Sequence, residues 1–429
     1  MGKGSKKRIR KHLAYADESG NVYDYYGLEG AFRSGYRFVP VDESELIPLP
    51  YGSYLFTLPE RYPVTYDGSD FTVVKESPEG TDINAVSSFL ASGYLRTYLP
   101  AFRKKSKESV ILPLWAYAGV VIDKNRFYVP AMRIDEDPRS DPAIHENHSE
   151  FNQAKKIVKS EYPENRLINQ LEICSTEYNC LCARNFFLSR YECPVPSSPA
   201  CNADCLGCFS YQDESSGFCQ SQFRLNFSPT PEEISEIIIH HFQKVENGVA
   251  SFGQGCEGEP LLRGKDLAKS IALVREKTSC GTINVNTNGS RTDTVSDMID
   301  AGLDSIRVSL NSPTEKYYNS YHRPVNYKFA DVLRTIDLAL NRGIFVSINL
   351  FFTPGFTDSV SEVESLYSFL EKFPVNMIQT RNMNIDPDYF FDRINFQDED
   401  AIGIRNLIDE IRQKYPSVRL GYYNPPIKK

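Results

Sequence analysis

Residues 230–253, TPEEISEIIIHHFQKVENGVASFG, decide how the chain folds from its middle onward. Thr230, Pro231 and Glu233 read as a capping box with proline at the first helical position. Ile234, Ile237, Ile238, Phe242 and Val245 then recur at helical spacing, and Gly248 supplies a stop. Residues 249–253 follow as a short apolar strand. One helix and one strand, joined by a glycine-containing turn, are thus spelled out in 24 letters.

The pattern continues downstream. Leu267, Ile271 and Val274 mark a helix, 283–288 a strand, Val295, Met298 and Ile299 a helix, and 305–310 a strand. Val332, Leu333, Ile336 and Leu340 build the next helix, closed by Gly343. Residues 344–352 are a strand, Val363, Leu366, Tyr367 and Leu370 a helix, and 376–383 a strand. A strand at 186–195 completes six β/α units. Such alternation predicts an α/β domain with a parallel sheet and right-handed crossovers. Periodicity does not say whether the sheet stays open or curls into part of a barrel. Either way, the turns after the strands gather on one face.

Upstream the composition changes. Residues 15–135 are rich in tyrosine, proline and glycine, and 110–122 and 126–132 read as strands, so a separate β-rich module is expected there. Residues 136–185 form a helical, cysteine-rich connector, and 186–429 hold the β/α domain with a C-terminal extension. Residues 1–14 read as a solvated basic tail carrying Lys3, Lys6, Lys7, Arg8, Arg10 and Lys11.

The 429 residues are 41% hydrophobic and 24% charged, the composition of an ordinary globular protein. A net charge of −8 argues against a protein that coats nucleic acid over its whole surface. No apolar run reaches the length of a membrane span, so no membrane partner is expected. Ten cysteines at metal-type spacings, without a secretory leader, fit a reducing cytoplasm better than a disulfide scaffold.

Cys201, Cys205 and Cys208 stand in SPACNADCLGCFSYQ as C-x3-C-x2-C, directly after the first strand. Three thiolates can hold three irons of a [4Fe–4S] cluster and leave the fourth open to a ligand, whereas an electron-relay cluster wants four cysteines. A structural zinc site also closes with four ligands, usually in pairs. Cys174, Cys180, Cys182 and Cys193 form a second set, enough for a further cluster or for zinc, or else unrelated buried thiols. His145 and His148 are better read as a solvated helix surface than as metal ligands, since no third ligand accompanies them.

The cysteine spacing resembles that of the radical SAM superfamily. The turn GCEGEP resembles the superfamily's glycine–glutamate motif, with Gly258 and Glu259 at the matching positions. One departure is Gly207, which stands where relatives often carry an aromatic residue. The resemblance implies a partial (β/α)6 barrel in which Cys201, Cys205 and Cys208 bind a [4Fe–4S] cluster. Gly258, Glu259, Asn288, Ser309 and Asn311 would contact S-adenosylmethionine. It further implies reductive cleavage to a 5′-deoxyadenosyl radical, and an electron donor such as flavodoxin or ferredoxin. No general acid or base is implied, and no catalytic side chain is assigned. The substrate is left open among a peptide, a metabolite and an RNA base. Arg323 is a further candidate partner for a cofactor carboxylate, and Pro354 and Gly355 resemble an adenine-side turn. The competing reading is a non-catalytic iron–sulfur or zinc protein with a structural or electron-transfer role.

Overall fold

The capping box at Thr230 forms in the structure: its hydroxyl accepts from Glu233 N (3.2 Å), and the Glu233 carboxylate accepts from Thr230 N (2.8 Å). The computed structural model describes residues 11–428. Helix α4 follows, Pro231–Lys244, after α1 (His148–Glu161), α2 (Arg166–Thr176) and α3 (Leu181–Phe187). The left-handed residue beyond its end is Asn247 (φ 54°) rather than Gly248. Asparagine tolerates that conformation through its short polar side chain.

The chain divides into two compact units. The larger comprises Asp137–Phe351, Glu364–Arg381 and Tyr415–Lys429. Its seven strands lie in chain order: β1 (Glu192–Val195), β2 (Val249–Phe252), β3 (Thr282–Thr287), β4 (Ser305–Ser309), β5 (Phe345–Phe352), β6 (Met377–Asn382) and β7 (Arg419–Gly421). Strands β1 to β5 run parallel to their neighbours, as does the pair β6 and β7. Between them run α5 (Gly264–Lys277), α6 (Thr292–Asp300), α7 (Glu315–His322), α8 (Phe329–Asn341) and α9 (Val360–Lys372). Apolar strand residues such as Ile283, Val285, Ile306 and Val308 are fully buried, as are Ile271 and Ile336 on the helices.

Alternate strand positions carry polar groups, and a short C-terminal segment meets them. Gln379 of β6 donates to Tyr422 O (2.5 Å), while Asn424 bonds Glu192 of β1 (2.7 Å), Ser251 of β2 (3.1 Å) and Arg307 of β4 (3.2 Å). In a flat sheet β1 and β6 would lie roughly 24 Å apart. Three residues span at most about 10 Å. The strands are therefore curled around the segment, which settles the open alternative in favour of a partial barrel.

Two strand expectations need correction. Residues 186–195 are not one strand: α3 takes Leu181–Phe187 and only Glu192–Val195 pairs. A short apolar run fits a buried helix as well as a strand. Residues 110–122 likewise hold only an isolated bridge at Ala118 and the beginning of a strand, Val121–Asp123. Pro113 has no N–H to give to a ladder.

The second unit comprises Met1–Glu136, Phe352–Val363 and Asn382–Lys414. It is built on a largely antiparallel sheet that includes His12–Ala16, Val22–Ser34, Arg61–Tyr66 and Arg126–Arg133. Ala14, Ala16, Val86, Val129 and Ala131 form part of its core. Arg61 and Asp386, both fully buried, pair at 2.9 Å, and Arg33 pairs with Asp388 at 2.6 Å. The segments that follow β5 and β6 thus belong to the β-rich unit. The basic residues of the tail lie outside the described residues, apart from Lys11, which pairs with Glu29 at 2.5 Å.

Candidate cofactor site

The cysteine loop leaves β1 and is locked by backbone to the turn that leaves β2. Gly258 N donates to Ser198 O (2.7 Å) and Glu259 N to Ala200 O (2.8 Å). A Cβ on Gly258 would lie 1.9 Å from Ala200 O, so only glycine allows this approach. Glu257 ties the same segments from inside: its carboxylate accepts from Ser197 N (2.8 Å), Ser197 Oγ (2.7 Å), Ser198 N (3.0 Å) and Gly253 N (2.5 Å).

Glu259 is buried, and its oxygens accept from Leu261 N (3.0 Å), Thr287 Oγ1 (2.5 Å) and Asn288 N (2.8 Å). Burial nevertheless pushes its carboxyl above the usual range. Asn288 gives its side chain to Asn202 Oδ1 (2.8 Å), and Asn202 reaches Ser290 (3.0 Å), which stitches the end of β3 to the cysteine loop. Asn311 beyond β4 is buried. Its Nδ2 donates to Tyr317 O (3.3 Å) and its Oδ1 has no partner among the described residues. Ser309 ends β4 and is half-buried.

The three thiols share this patch. Burial pushes Cys201 up to about 11, with the Glu259 carboxylate adding to the shift. Cys205 is raised further, by burial and then by Cys208 and Cys201. Among the described residues no three Cys, His, Asp or Glu groups converge as they would on a single metal ion. A cluster takes one thiolate at each of separate irons, so its ligands need not meet at a point. The donor set fits such a cluster: three mutually influencing thiols with a buried carboxylate beside Cys201.

Sequence reading missed several supports. His322 Nδ1 lies 3.3 Å from Cys205 Sγ, with burial pushing the imidazole down to about 3. Arg224 Nη2 lies 3.6 Å from Cys208 Sγ. Tyr321 from α7 lies against Gly207, where a Cβ would stand 2.9 Å from its hydroxyl. An aromatic from α7 thus packs against the residue where relatives carry one within the motif. Arg323 pairs with Asp204 of the cysteine loop at 3.2 Å. Gly355 (φ 87°) packs against Gly35 within the β-rich unit, with no room for a Cβ.

The second cysteine set is also clustered: Cys174 influences Cys180, and both Cys180 and Cys193 influence Cys182. Cys174 hydrogen-bonds Cys256 of the glycine turn, which lies outside that set, while Cys182 and Cys193 are both raised well above the ordinary thiol range by burial. His145 is buried, with both ring nitrogens unpartnered among the described residues and its pKa pushed down to about 4. It is not the solvated residue expected.

A curled parallel β/α sheet with three thiols and a buried carboxylate at its strand ends defines a class of cofactor-dependent domains. Residues 195–370 match the Radical SAM superfamily, and this stretch of the chain is a radical SAM domain. Enzymes of the superfamily work with a [4Fe–4S] cluster and S-adenosylmethionine. The chain is similar to a GTP 3′,8-cyclase of Staphylococcus carnosus, with 29% identity over 39% of this chain and 49% of the relative. It is also similar to the GTP 3′,8-cyclase of Edwardsiella ictaluri, with 30% identity over 28% and 36%. The chain thus spans half or less of the curated relatives it matches. Among solved structures, Streptococcus suis SuiB bound to S-adenosylmethionine is 17% identical over 74% of this chain and 72% of that one, with a TM-score of 0.39. Methylornithine synthase is 14% identical over 57% and 68%, also with a TM-score of 0.39. Likenesses that slight carry no argument. Among the described residues no helix is long and apolar enough to cross a membrane.

Proposed function

We propose that this chain is a radical SAM enzyme in which Cys201, Cys205 and Cys208 hold the [4Fe–4S] cluster. In this reading Gly258, Glu259, Asn288, Ser309 and Asn311 receive S-adenosylmethionine. The observation that carries it is the lock of the glycine turn onto the cysteine loop, which sets the Glu259 carboxylate beside Cys201. When bound, the two cofactors supply reductive cleavage of a sulfonium carbon–sulfur bond and abstraction of a hydrogen atom from substrate.

The chain's own work is placement. Glu259, steadied by three donors, presents a fixed carboxylate to an amino group. The Asn311 Oδ1, without a partner among the described residues, and the Ser309 hydroxyl offer polar contacts for the ribose or the amino-acid end. Arg224 and His322 stand beside two of the sulfurs, where N–H···S bonds tune a cluster's potential. The electron comes from a low-potential donor such as flavodoxin or ferredoxin.

The test is anaerobic. Reconstituted, reduced protein should give an electron paramagnetic resonance signal that changes on adding S-adenosylmethionine, with 5′-deoxyadenosine formed. Glu259→Ala should retain the signal and lose that response. Continued cleavage by Cys205→Ala would overturn the reading, as would a wild-type signal indifferent to S-adenosylmethionine.

A further inference from the structure

Below the strand ends, the inner face of the curled sheet carries two arginines that the proposed cofactor site does not use. Arg307 on β4 is 7% exposed, and its Nη1 donates to the neutral Asn424 Oδ1 at 3.2 Å. Arg381 ends the inner row of β6 and lies half-buried with its guanidinium 3.7 Å over the Tyr422 ring. Among the described residues neither guanidinium has a carboxylate within ion-pair distance, although most arginines of this chain do or lie at its surface. The two are close enough that the charge of Arg381 helps burial to push Arg307 down to about 9.

Glu192 is the carboxylate that acts on Arg307, and it is shared with other groups. Glu192 Oε1 accepts from Ser251 Oγ (2.6 Å), Gln254 Nε2 (2.6 Å) and Asn424 Nδ2 (2.7 Å). Its Oε2 faces Arg139 at 3.6 Å, and Arg139 also has Asp137 at 2.7 Å. Three guanidiniums, Arg139, Arg307 and Arg381, thus share two carboxylates, Asp137 and Glu192, which leaves one positive charge in excess on this inner face. A single neutral acceptor does not offset the burial of a guanidinium, and two like charges brought together add repulsion. The arrangement is expensive unless something negative enters it.

The same face has free valences. Gln379 Oε1, 1% exposed, and Asn349 Oδ1 on β5 lack partners among the described residues. Arg307 precedes Ser309 by two residues on one strand, so both point inward, roughly 7 Å apart along β4. A molecule held at the arginines would therefore reach up toward the strand ends where the proposed cofactor lies.

We propose that Arg307 and Arg381 form an oxyanion site that anchors the substrate by a carboxylate or a phosphate group. Asn349 and Gln379 offer acceptors to donor groups beside that anion. Guanidinium forks suit both oxyanions through paired N–H···O bonds. The assignment rests on the radical SAM reading only in calling the ligand the substrate; the anion site stands on its own geometry.

The experiment uses the full chain, reconstituted anaerobically, and calorimetric titration with inorganic phosphate and with succinate at constant ionic strength in chloride. At least one probe should bind saturably at one site per chain. Arg381→Met, at the less buried position, should weaken it about 10- to 100-fold, with Arg381→Lys in between. Arg307→Gln provides the second variant, and circular dichroism confirms that each is folded. Binding of phosphate alone identifies a phosphorylated substrate, and binding of succinate alone a carboxylate. No saturable binding of either probe to the wild-type chain overturns the site, as does unchanged binding in both folded variants. The cluster signal with and without S-adenosylmethionine, recorded on the same samples, separates the two readings. Anion binding without that response leaves the site standing and removes the cofactor assignment; the response without anion binding does the reverse.

Discussion

Glu257 carries more of the site's architecture than its place in the sequence suggests. Four donors from two loops converge on one buried carboxylate. Glu257→Ala would leave three backbone N–H groups unpaired and should cost about 2–4 kcal/mol, measured by chemical denaturation. Two effects compete over its proton. Burial raises the carboxyl from 4.5 to about 7, while the N–H bonds pull it back. Because the folded pKa lies above the unfolded one, the group's contribution is fully present below about pH 4.5 and is lost as pH rises through about 7. Wild-type protein should therefore lose roughly 3 kcal/mol relative to Glu257→Gln between pH 4.5 and 8. An opposite slope in paired denaturation curves would show that the donors outweigh burial. The sequence could not single this residue out, because GCEGEP offers two glutamates and the family resemblance accounts for only Glu259.

Elements with a strong apolar period were legible; those held by distant polar bonds were not. Helix α4 and strands β2 to β6 declared themselves through capping residues, spacing and flanking glycines, and the turns that follow β1 to β3 join the cysteine loop, Glu259 and Asn288 by hydrogen bonds. Strand β7 has three residues and no period to read. The segment beyond it is polar and aromatic, yet Asn424 alone bonds strands β1, β2 and β4. Its side-chain amide links Glu192 to Arg307 across the curled sheet. Asn424→Ala should cost about 2–3 kcal/mol and should weaken the proposed anion site by letting Arg307 move. Asn424→Asp should do otherwise: it brings a carboxylate to Arg307 and should abolish phosphate or succinate binding while the chain stays folded. A variant that binds either probe as the wild type does would remove Asn424 from this role.

At the scale of the whole chain, the β-rich unit is discontinuous, and its polar interior says why. Arg61 is fully buried and takes its charge partner, Asp386, from a segment that follows β6. Leu112 N donates to the same carboxylate oxygen at 3.0 Å. Arg96, pushed down to about 9 by burial, donates to Met383 O at 2.9 Å as well as to Tyr117 O. A local reading of residues 15–135 sees strands and turns but not these partners, because charge pairing across hundreds of residues leaves no periodic trace. Residues 1–136 alone would bury two guanidiniums with their anion or carbonyl partners missing, at a cost of several kcal/mol each. That approaches the whole stability of a small domain. The fragment should therefore show no cooperative thermal transition, whereas the full chain should show one in the same buffer. Asp386→Asn in the full chain isolates the cause, since it keeps the shape and removes the charge. It should destabilise the β-rich unit by about 3–5 kcal/mol, read by hydrogen exchange at Val129 and Ala131 in its core. Exchange there as slow as in the wild type, or a fragment that melts cooperatively, would mean that the unit does not depend on its borrowed segments.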